Sequence, residues 1–245
     1  MASSSGAVKS GNPDYTHFIS LPLLLHDETV KKLNNFQKSV VGTTKDLGIE
    51  KSMFINPKTF HLTVLMLKLS NNDQIKAAAK VLQSVSPKVT EDLEGRPVCI
   101  RLTGLACMRG SPEKAYVVHA PLKVTGGEAQ LEHACQRIIN AFTEAGLVLE
   151  EDVNKKLKLH ATIMNARYRK SKKSSEKTDP FDARAIFAQH GSEEWGECLI
   201  REVHLSKRFV YDINGYFHCC ASIPFPEEKQ GESGIMKNIF HKVLR

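Results

Sequence analysis

The pattern apolar, His, apolar, Thr, apolar occurs twice in this chain, as Phe60-His61-Leu62-Thr63-Val64 and as Leu159-His160-Ala161-Thr162-Ile163. In an extended strand residues i and i+2 share a face, so each His stands beside its Thr while the apolar residues point the other way into a core. A chain that carries this twice is held to a fold with two similar strands, each offering one imidazole and one hydroxyl to a polar face. With 10 His and 12 Thr in 245 residues, chance supplies only about half a His-x-Thr match, against the two found. On spacing alone, two core histidines satisfied by neighbouring threonines account for the pattern equally well.

The surroundings of the two motifs also repeat. His17 to Leu25 reads as a strand, and Asp27 can cap a helix through Val30, Leu33 and Phe36. Pro57 restarts an extended segment, Thr59 to Leu69. Asn71 or Asn72 then caps a helix with Ile75, Ala78, Ala79, Leu82 and Val85 on one face, and Pro87 is expected just beyond its end. Strands are expected over Val98 to Cys107 and Ala115 to Ala120. In the second half Gly126-Gly127 opens a helix through Leu131, Ala134, Ile138 and Phe142 that stops at Gly146. Leu157 to Met164 is extended, Asp182 to His190 a short helix, and Ile200 to Val210 and Tyr216 to Ile223 are strands. Helix followed by a His-bearing strand occurs twice, which points to an α+β fold with two similar halves.

Composition sets the outer limits. Charged residues at 25% and hydrophobic residues at 41% are ordinary globular values, and 34 Lys plus Arg against 27 Asp plus Glu leave +7, which suits a polyanionic partner without proving one. No apolar run approaches the roughly 18 to 20 residues that span a bilayer, and the opening MASSSGAVKSGNPDY lacks the apolar core of a secretory signal. The expectation is a soluble intracellular protein with no membrane partner. Its six Cys contain no C-x-x-C pair and read as reduced, mostly buried thiols. Residues 1–14 read as a flexible lead-in, 15–226 as the folded domain, and 227–245 as a tail. In that tail Ile235, Met236, Ile239, Phe240 and Val243 make a short apolar stripe, which suits docking on a partner or on the protein's own body.

Two imidazoles and two hydroxyls brought together form a set that can exchange protons near neutral pH and donate hydrogen bonds, with no metal ligand set. Cleavage of an RNA phosphodiester or opening of a cyclic phosphate needs that set. A neutral imidazole takes a proton from a 2′-hydroxyl or water, a protonated one gives a proton to the leaving oxygen, and hydroxyls hold the non-bridging oxygens.

The opening THFISLPL, the segments NPKTFHLTVLMLKL, KLKLHATIMNARYRK and FDARAIF, and the strand REVHLSKRF followed by NGYFHCCASIPF span about Tyr15 to Pro226. Over that length the chain resembles the 2H phosphoesterase superfamily of LigT-like proteins. The resemblance implies a bilobal α+β fold, two pseudo-symmetric antiparallel-sheet lobes with outer helices around a central groove. It implies that His61, Thr63, His160 and Thr162 line that groove, the histidines as acid and base, with no metal and no cofactor. The implied activity is that of a metal-independent RNA or oligonucleotide phosphodiesterase of the 2′,3′-cyclic type, on RNA, oligonucleotide or cyclic nucleotide. Within the superfamily the chain is most like the phosphoesterase-like domain of a transcriptional cointegrator subunit. That likeness implies a nuclear, also cytoplasmic, setting beside a helicase, in transcription and alkylation-damage repair, as a weakly catalytic or non-catalytic RNA-binding subunit. That subunit usually carries a KH module ahead of this domain, where about 15 residues stand here. A third reading is a module that senses a mononucleotide.

From Lys155 to Lys177 nine Lys or Arg face a single acid, Glu176. This run brackets His160 and can form a phosphate-attracting rim, with Lys158, Arg167 and Arg169 as cations and Tyr168 able to stack on a base. A solvated loop or a nuclear import signal fits the run as well. His204-x-Ser206 lies in more charged surroundings and is not assigned to the site, and His218 beside Cys219 has no second ligand pair for a metal.

Overall fold

The computed structural model describes residues 15–43, 48–125, 127–170 and 178–227. The expected lead-in over 1–14 and the apolar stripe of the tail lie outside the described residues. Strands β1 (His17–Pro22), β2 (His61–Leu67), β7 (Ala161–Asn165), β9 (Glu202–Tyr211) and β10 (Phe217–Pro224) join β4 (Ala106–Arg109) and β5 (Val117–Ala120) in a seven-stranded sheet. Its order is β10-β9-β1-β2-β7-β5-β4. A second sheet holds β3 (Val98–Thr103), β6 (Leu122–Thr125) and β8 (Glu194–Ile200) in the order β6-β3-β8, and every pairing in both sheets is antiparallel.

The large sheet is pinched at its middle. β1 and β2 pair over six residues, whereas β2 and β7 meet through one pair, Leu62 with Ala161. The pinch divides the large sheet into β10-β9-β1-β2 on one side and β7-β5-β4 on the other. Four helices pack outside: α1 (Asp27–Thr43), α2 (Asn72–Asp92), α3 (Glu128–Glu144) and α4 (Arg184–His190). Helix α2 rests on β10 and against α3, while α1 rests on β8. This is the expected α+β architecture of antiparallel sheets with outer helices.

Helical spacing places the core. Leu33, Phe36 and Val40 of α1, Ala78, Leu82, Val85 and Val89 of α2, and Leu131, Ala134, Ile138 and Phe142 of α3 are all buried. At β8 the approach of α1 requires glycine: Gly196 has φ +125, and a Cβ there would lie 2.5 Å from Thr29 Oγ1.

Two expectations are corrected. Pro87 lies inside α2, which continues to Asp92. The carbonyl deprived of its donor belongs to Gln83, which is exposed to water, while Val85, Val89 and Leu93 on either side of the proline are buried, so packing outweighs the lost bond. Val98 to Cys107, expected as one strand, is two strands in different sheets. The chain crosses at Gly104, whose φ of +66 breaks the strand and whose Cβ, if present, would lie 2.9 Å from the Gly191 carbonyl oxygen. Trp195 Nε1 donates to the Gly104 carbonyl at 2.8 Å and closes the crossing. Of the six free cysteines, Cys135 and Cys198 are buried and the other four half-buried. Among the described residues no helix is long and apolar enough to cross a membrane.

Leu62 is fully buried at the pinch. Leu62→Ala should lower unfolding stability by about 2–5 kcal/mol in urea titrations; a loss well under 1 kcal/mol would mean that the two halves do not depend on this contact.

Candidate active site

The pairing of Leu62 with Ala161 fixes the geometry of both motifs. Continuing this antiparallel register by one residue each way sets His61 opposite Thr162 and Thr63 opposite His160, all four on the face away from Leu62 and Ala161. In that register the two imidazoles fall on one diagonal of a square and the two hydroxyls on the other, and charge on His160 is felt at His61. Burial follows the same alternation: Phe60, Leu62, Val64, Ala161 and Ile163 are buried, and His61, Thr63, His160 and Thr162 are half-buried.

The two imidazoles are held by the same device. His61 Nδ1 lies 2.7 Å from the Thr59 carbonyl oxygen, and His160 Nδ1 lies 2.7 Å from the Lys158 carbonyl oxygen. A carbonyl only accepts, so each Nδ1 carries the proton and each Nε2 keeps a lone pair. Around His61 the aromatic rings of Phe18 and Phe217 lie 5.1 and 5.5 Å away. Burial among them pushes its pKa down to about 4, the Thr59 carbonyl opposes this, and positive charge on His160 pushes it further down. Burial lowers the pKa of His160 too, opposed by the Lys158 carbonyl.

A third imidazole belongs to the same face. His119 of β5 pairs with Thr162, and its ring stands edge-on to His160 at 5.3 Å. Burial first, and charge on His160 second, bring its pKa down to about 4. Its Nδ1 is buried with no hydrogen-bond partner among the described residues. His119 falls outside the repeated pattern because no Ser or Thr stands two positions away. The alternation of buried Val118 and Ala120 with half-buried Val117 and His119 was the available signal. On the other flank Thr63 pairs with Ser20, so the near-twofold arrangement is broken by a histidine on one side and a serine on the other. Ser20 Oγ lies 3.0 Å from Ser206 Oγ and 3.1 Å from the Tyr216 hydroxyl, and His204 Nε2 lies 2.9 Å from Glu202 Oε1. The unassigned His204-x-Ser206 thus belongs to a polar cluster beside Thr63 on the same face of the sheet, with Ser206 fully buried.

His61, Thr63 and Thr162 open into a cleft of about 200 Å³ that Arg167, Tyr168, Arg208 and Phe209 also line. Arg167 and Tyr168 sit on a 3-10 turn after β7, capped by the Asn165 side chain, which accepts from the Arg167 N–H. Lys158 is exposed and contributes its carbonyl to His160; its side chain does not line the cleft. Arg169 is directed elsewhere: its guanidinium donates to the Gly48 and Asp179 carbonyls at 3.1 and 3.2 Å and ties two loops together. Lys155 of the basic run pairs with Asp152, and Lys172, Lys173 and Lys177 lie outside the described residues. Arg208 and Phe209 had no signal in a regular strand pattern, because a bulge in β9 turns them to the cleft. Phe209 has φ +60, a strain on the order of 1 kcal/mol or more for an aromatic residue. Among the described residues no cluster of three or more His, Cys, Asp or Glu could hold a metal ion.

Comparison with known proteins gives a consistent match. A family model described as "AKAP7 2'5' RNA ligase-like domain" matches residues 15–225. Activating signal cointegrator 1 complex subunit 1 of Mus musculus is 28% identical over 227 residues, covering 86% of this chain and 63% of its own length. A-kinase anchor protein 7 isoform gamma of Homo sapiens is 24% identical over 229 residues, covering 91% and 60%. The chain thus spans about three fifths of the length of these curated relatives. Two solved structures share the fold: TT0787 of Thermus thermophilus, with a TM-score of 0.52 at 17% identity, and E. coli LigT complexed with 3'-AMP, with 0.52 at 12%. Each alignment covers 87% of this chain, and 100% and 99% of the other.

The lowered histidines carry a stability signature. In the unfolded chain His61 and His119 take up protons near pH 6.5, in the folded one near 4. The unfolded state therefore binds more protons in that window, so the stability present at pH 7 is lost as pH falls from about 6.5 to about 4. Urea titrations at pH 7 and pH 5 should show this loss in the parent protein and a smaller one in His119→Gln; an unchanged pH dependence would mean that His119 is not held neutral.

Proposed function

We propose, from the premise that this chain belongs to the AKAP7 2'5' RNA ligase-like domain family within the 2H phosphoesterase superfamily, that its cleft cleaves RNA or oligonucleotide phosphodiesters, including 2′,3′-cyclic phosphates, without a metal. The observation that carries this reading is the Leu62–Ala161 pairing, which brings the two motifs side by side with His61, Thr63 and Thr162 lining one cleft and both imidazoles anchored through Nδ1. A protein of the same fold, E. coli LigT, takes 3'-AMP, which supports a nucleotide as the ligand class.

In this mechanism a phosphoryl group sits on the diagonal between the imidazoles. His61, in its aromatic box and the poorer holder of a proton, acts as base: Nε2 takes a proton from water as the water oxygen bonds to phosphorus. The bond from phosphorus to one ribose oxygen breaks, and the protonated Nε2 of His160 gives that oxygen its proton. One proton is taken and one given, and a phosphomonoester remains when the substrate is a cyclic phosphate. The Thr63 and Thr162 hydroxyls donate to the non-bridging oxygens as negative charge gathers there. Charge on His160 disfavours a second proton on His61, so the singly protonated pair that acid–base catalysis needs is the favoured one.

A second reading has its own support. The relative from Mus musculus is by name a subunit of a complex, which suits an RNA-binding role beside a helicase in a nuclear cointegrator assembly, with little or no turnover. Arg167 and Tyr168 at the cleft would then serve recognition alone.

A panel of 2′,3′-cyclic nucleotides and of 2′,5′- and 3′,5′-linked oligonucleotides, incubated with EDTA, separates the two. Turnover that persists in EDTA and falls about 10²- to 10⁴-fold in His61→Ala and in His160→Ala is the expected result. RNA binding that survives both substitutions, with no product from any substrate, favours the recognition subunit. The pH profile follows from the same residues. The base must be neutral, hence above about 4, and the acid protonated, hence below a His160 pKa that burial holds under 6.5. The maximum of kcat/KM should therefore lie on the acid side of pH 6.5, and a maximum above pH 8 would contradict the assignment.

A further inference from the structure

His119 stands where the ladder of the large sheet is irregular. Val118 pairs with Met164 and His119 with Thr162, so one step on β5 opposes two on β7, and Ala120 then pairs with Ala161. In an unbroken register His119 would pair with Ile163, a core residue, one strand step away from Thr162. The bulge sets it instead beside Thr162 and diagonally across from His160, and the two rings meet edge to face with centroids 5.3 Å apart. An irregularity in the pairing thus delivers one particular side chain to one particular imidazole.

The two motif imidazoles differ in what holds them beyond their Nδ1 anchors. His61 is packed by the phenyl rings of Phe18 and Phe217, whereas the ring of His119 stands against His160. The Nδ1 bond to the Lys158 carbonyl holds one nitrogen of His160 and leaves the ring able to tilt about it; a second ring at its side removes that freedom. An imidazole in this place also differs from a phenyl. His119 Nδ1 is enclosed without a partner among the described residues, so the proton of the neutral ring belongs on Nε2 and a bare lone pair remains at Nδ1. A phenylalanine would spare the fold that unmet nitrogen. The imidazole is dipolar, and a neighbouring imidazolium costs less beside it than beside the phenyl rings around His61. The titratable groups facing His160 are His61 on β2 and His119 on β5. His119 in turn faces His160 and pairs with Ala106 on β4, while Arg109, opposite Val117, is exposed to water.

We infer that His119 is a positioning residue, whose neutral ring fixes the plane of the His160 imidazole and leaves it able to carry the proton it delivers. This rests on the reading of His160 as the acid and adds to it a third histidine that acts through the second.

Two measurements on His119→Ala and His119→Phe test it, each followed from about pH 4 to about pH 8: nitrogen-15 NMR titration of the histidine rings, and turnover of a 2′,3′-cyclic nucleotide. Alanine removes the ring and admits water, so the His160 midpoint should rise toward 6.5. At the optimum kcat should fall about 10- to 100-fold with KM little changed, because orientation rather than binding is lost. Phenylalanine restores a ring without its polarity. It should recover most of that kcat at its own optimum, while the His160 midpoint and the alkaline limb of kcat/KM move to lower pH than in the parent. A histidine that serves packing alone would leave the His160 midpoint in place in both variants, and that result overturns the inference. So does a phenylalanine variant no more active than the alanine one. Should His119→Ala fail to fold, the phenylalanine variant decides: a lowered His160 midpoint supports the inference, and an unchanged or raised one overturns it. A parent protein that turns over no cyclic nucleotide overturns the phosphodiesterase reading, whereas the ring titrations still report whether His119 sets the charge on His160.

Discussion

A single residue pair, Leu62 with Ala161, joins the two halves of the large sheet, and the site exists because of its register. The side-chain period of a strand is two, so a slip of one residue would carry His160 and Thr162 into the core and bring Ala161 to the cleft. The two buried side chains of this pair are thus coupled to four half-buried polar ones on the opposite face. Pairing beyond this point stops, and the lobes diverge to leave a cleft where a continuous sheet would have left a flat surface. Packing on the hidden face and access on the other are one constraint.

Electrostatics then turns a nearly symmetric square into one with direction. Both imidazoles are anchored through Nδ1 to a carbonyl two residues back, but their neighbours differ. His61 is enclosed by Phe18 and Phe217, whereas His160 has the edge of His119 beside it. Low-dielectric surroundings penalise charge, so a proton shared by the pair goes to His160. The polar cluster of Ser20, Ser206 and Tyr216 fills the matching position on the other flank and holds the hydroxyl of Tyr216 against Ser20. In the proposed mechanism, proton donor and proton acceptor are distinguished by what packs against each ring.

Much of this was legible in the chain. The alternation in FHLTV and LHATI gave the inward and outward faces, and helical spacing in α1, α2 and α3 gave the residues of the core. What could not be read depends on contacts distant in sequence. No local pattern says that Leu62 meets Ala161, and the alignment of the two motifs follows from that contact. Pro87 reads as a helix end locally, yet burial of Val85, Val89 and Leu93 carries α2 past it. Gly104 reads as an ordinary strand glycine until a second sheet is present for the chain to cross to. Arg169 belongs to a basic run, but two carbonyls claim it, one of them Gly48, which is far away in the chain. Phe209 reads as one more strand residue, because a bulge is a mismatch between two strands and neither sequence alone contains it.

The central claim is that His61 and His160 present their Nε2 atoms to one phosphate. Nitrogen-15 NMR of the histidine rings, before and during addition of 3′-AMP, observes this directly. The account predicts that both free rings at pH 7 carry the proton on Nδ1, and that both Nε2 signals shift together along one binding curve. A ring protonated on Nε2 in the free protein, or a shift confined to one of the two histidines, would contradict it.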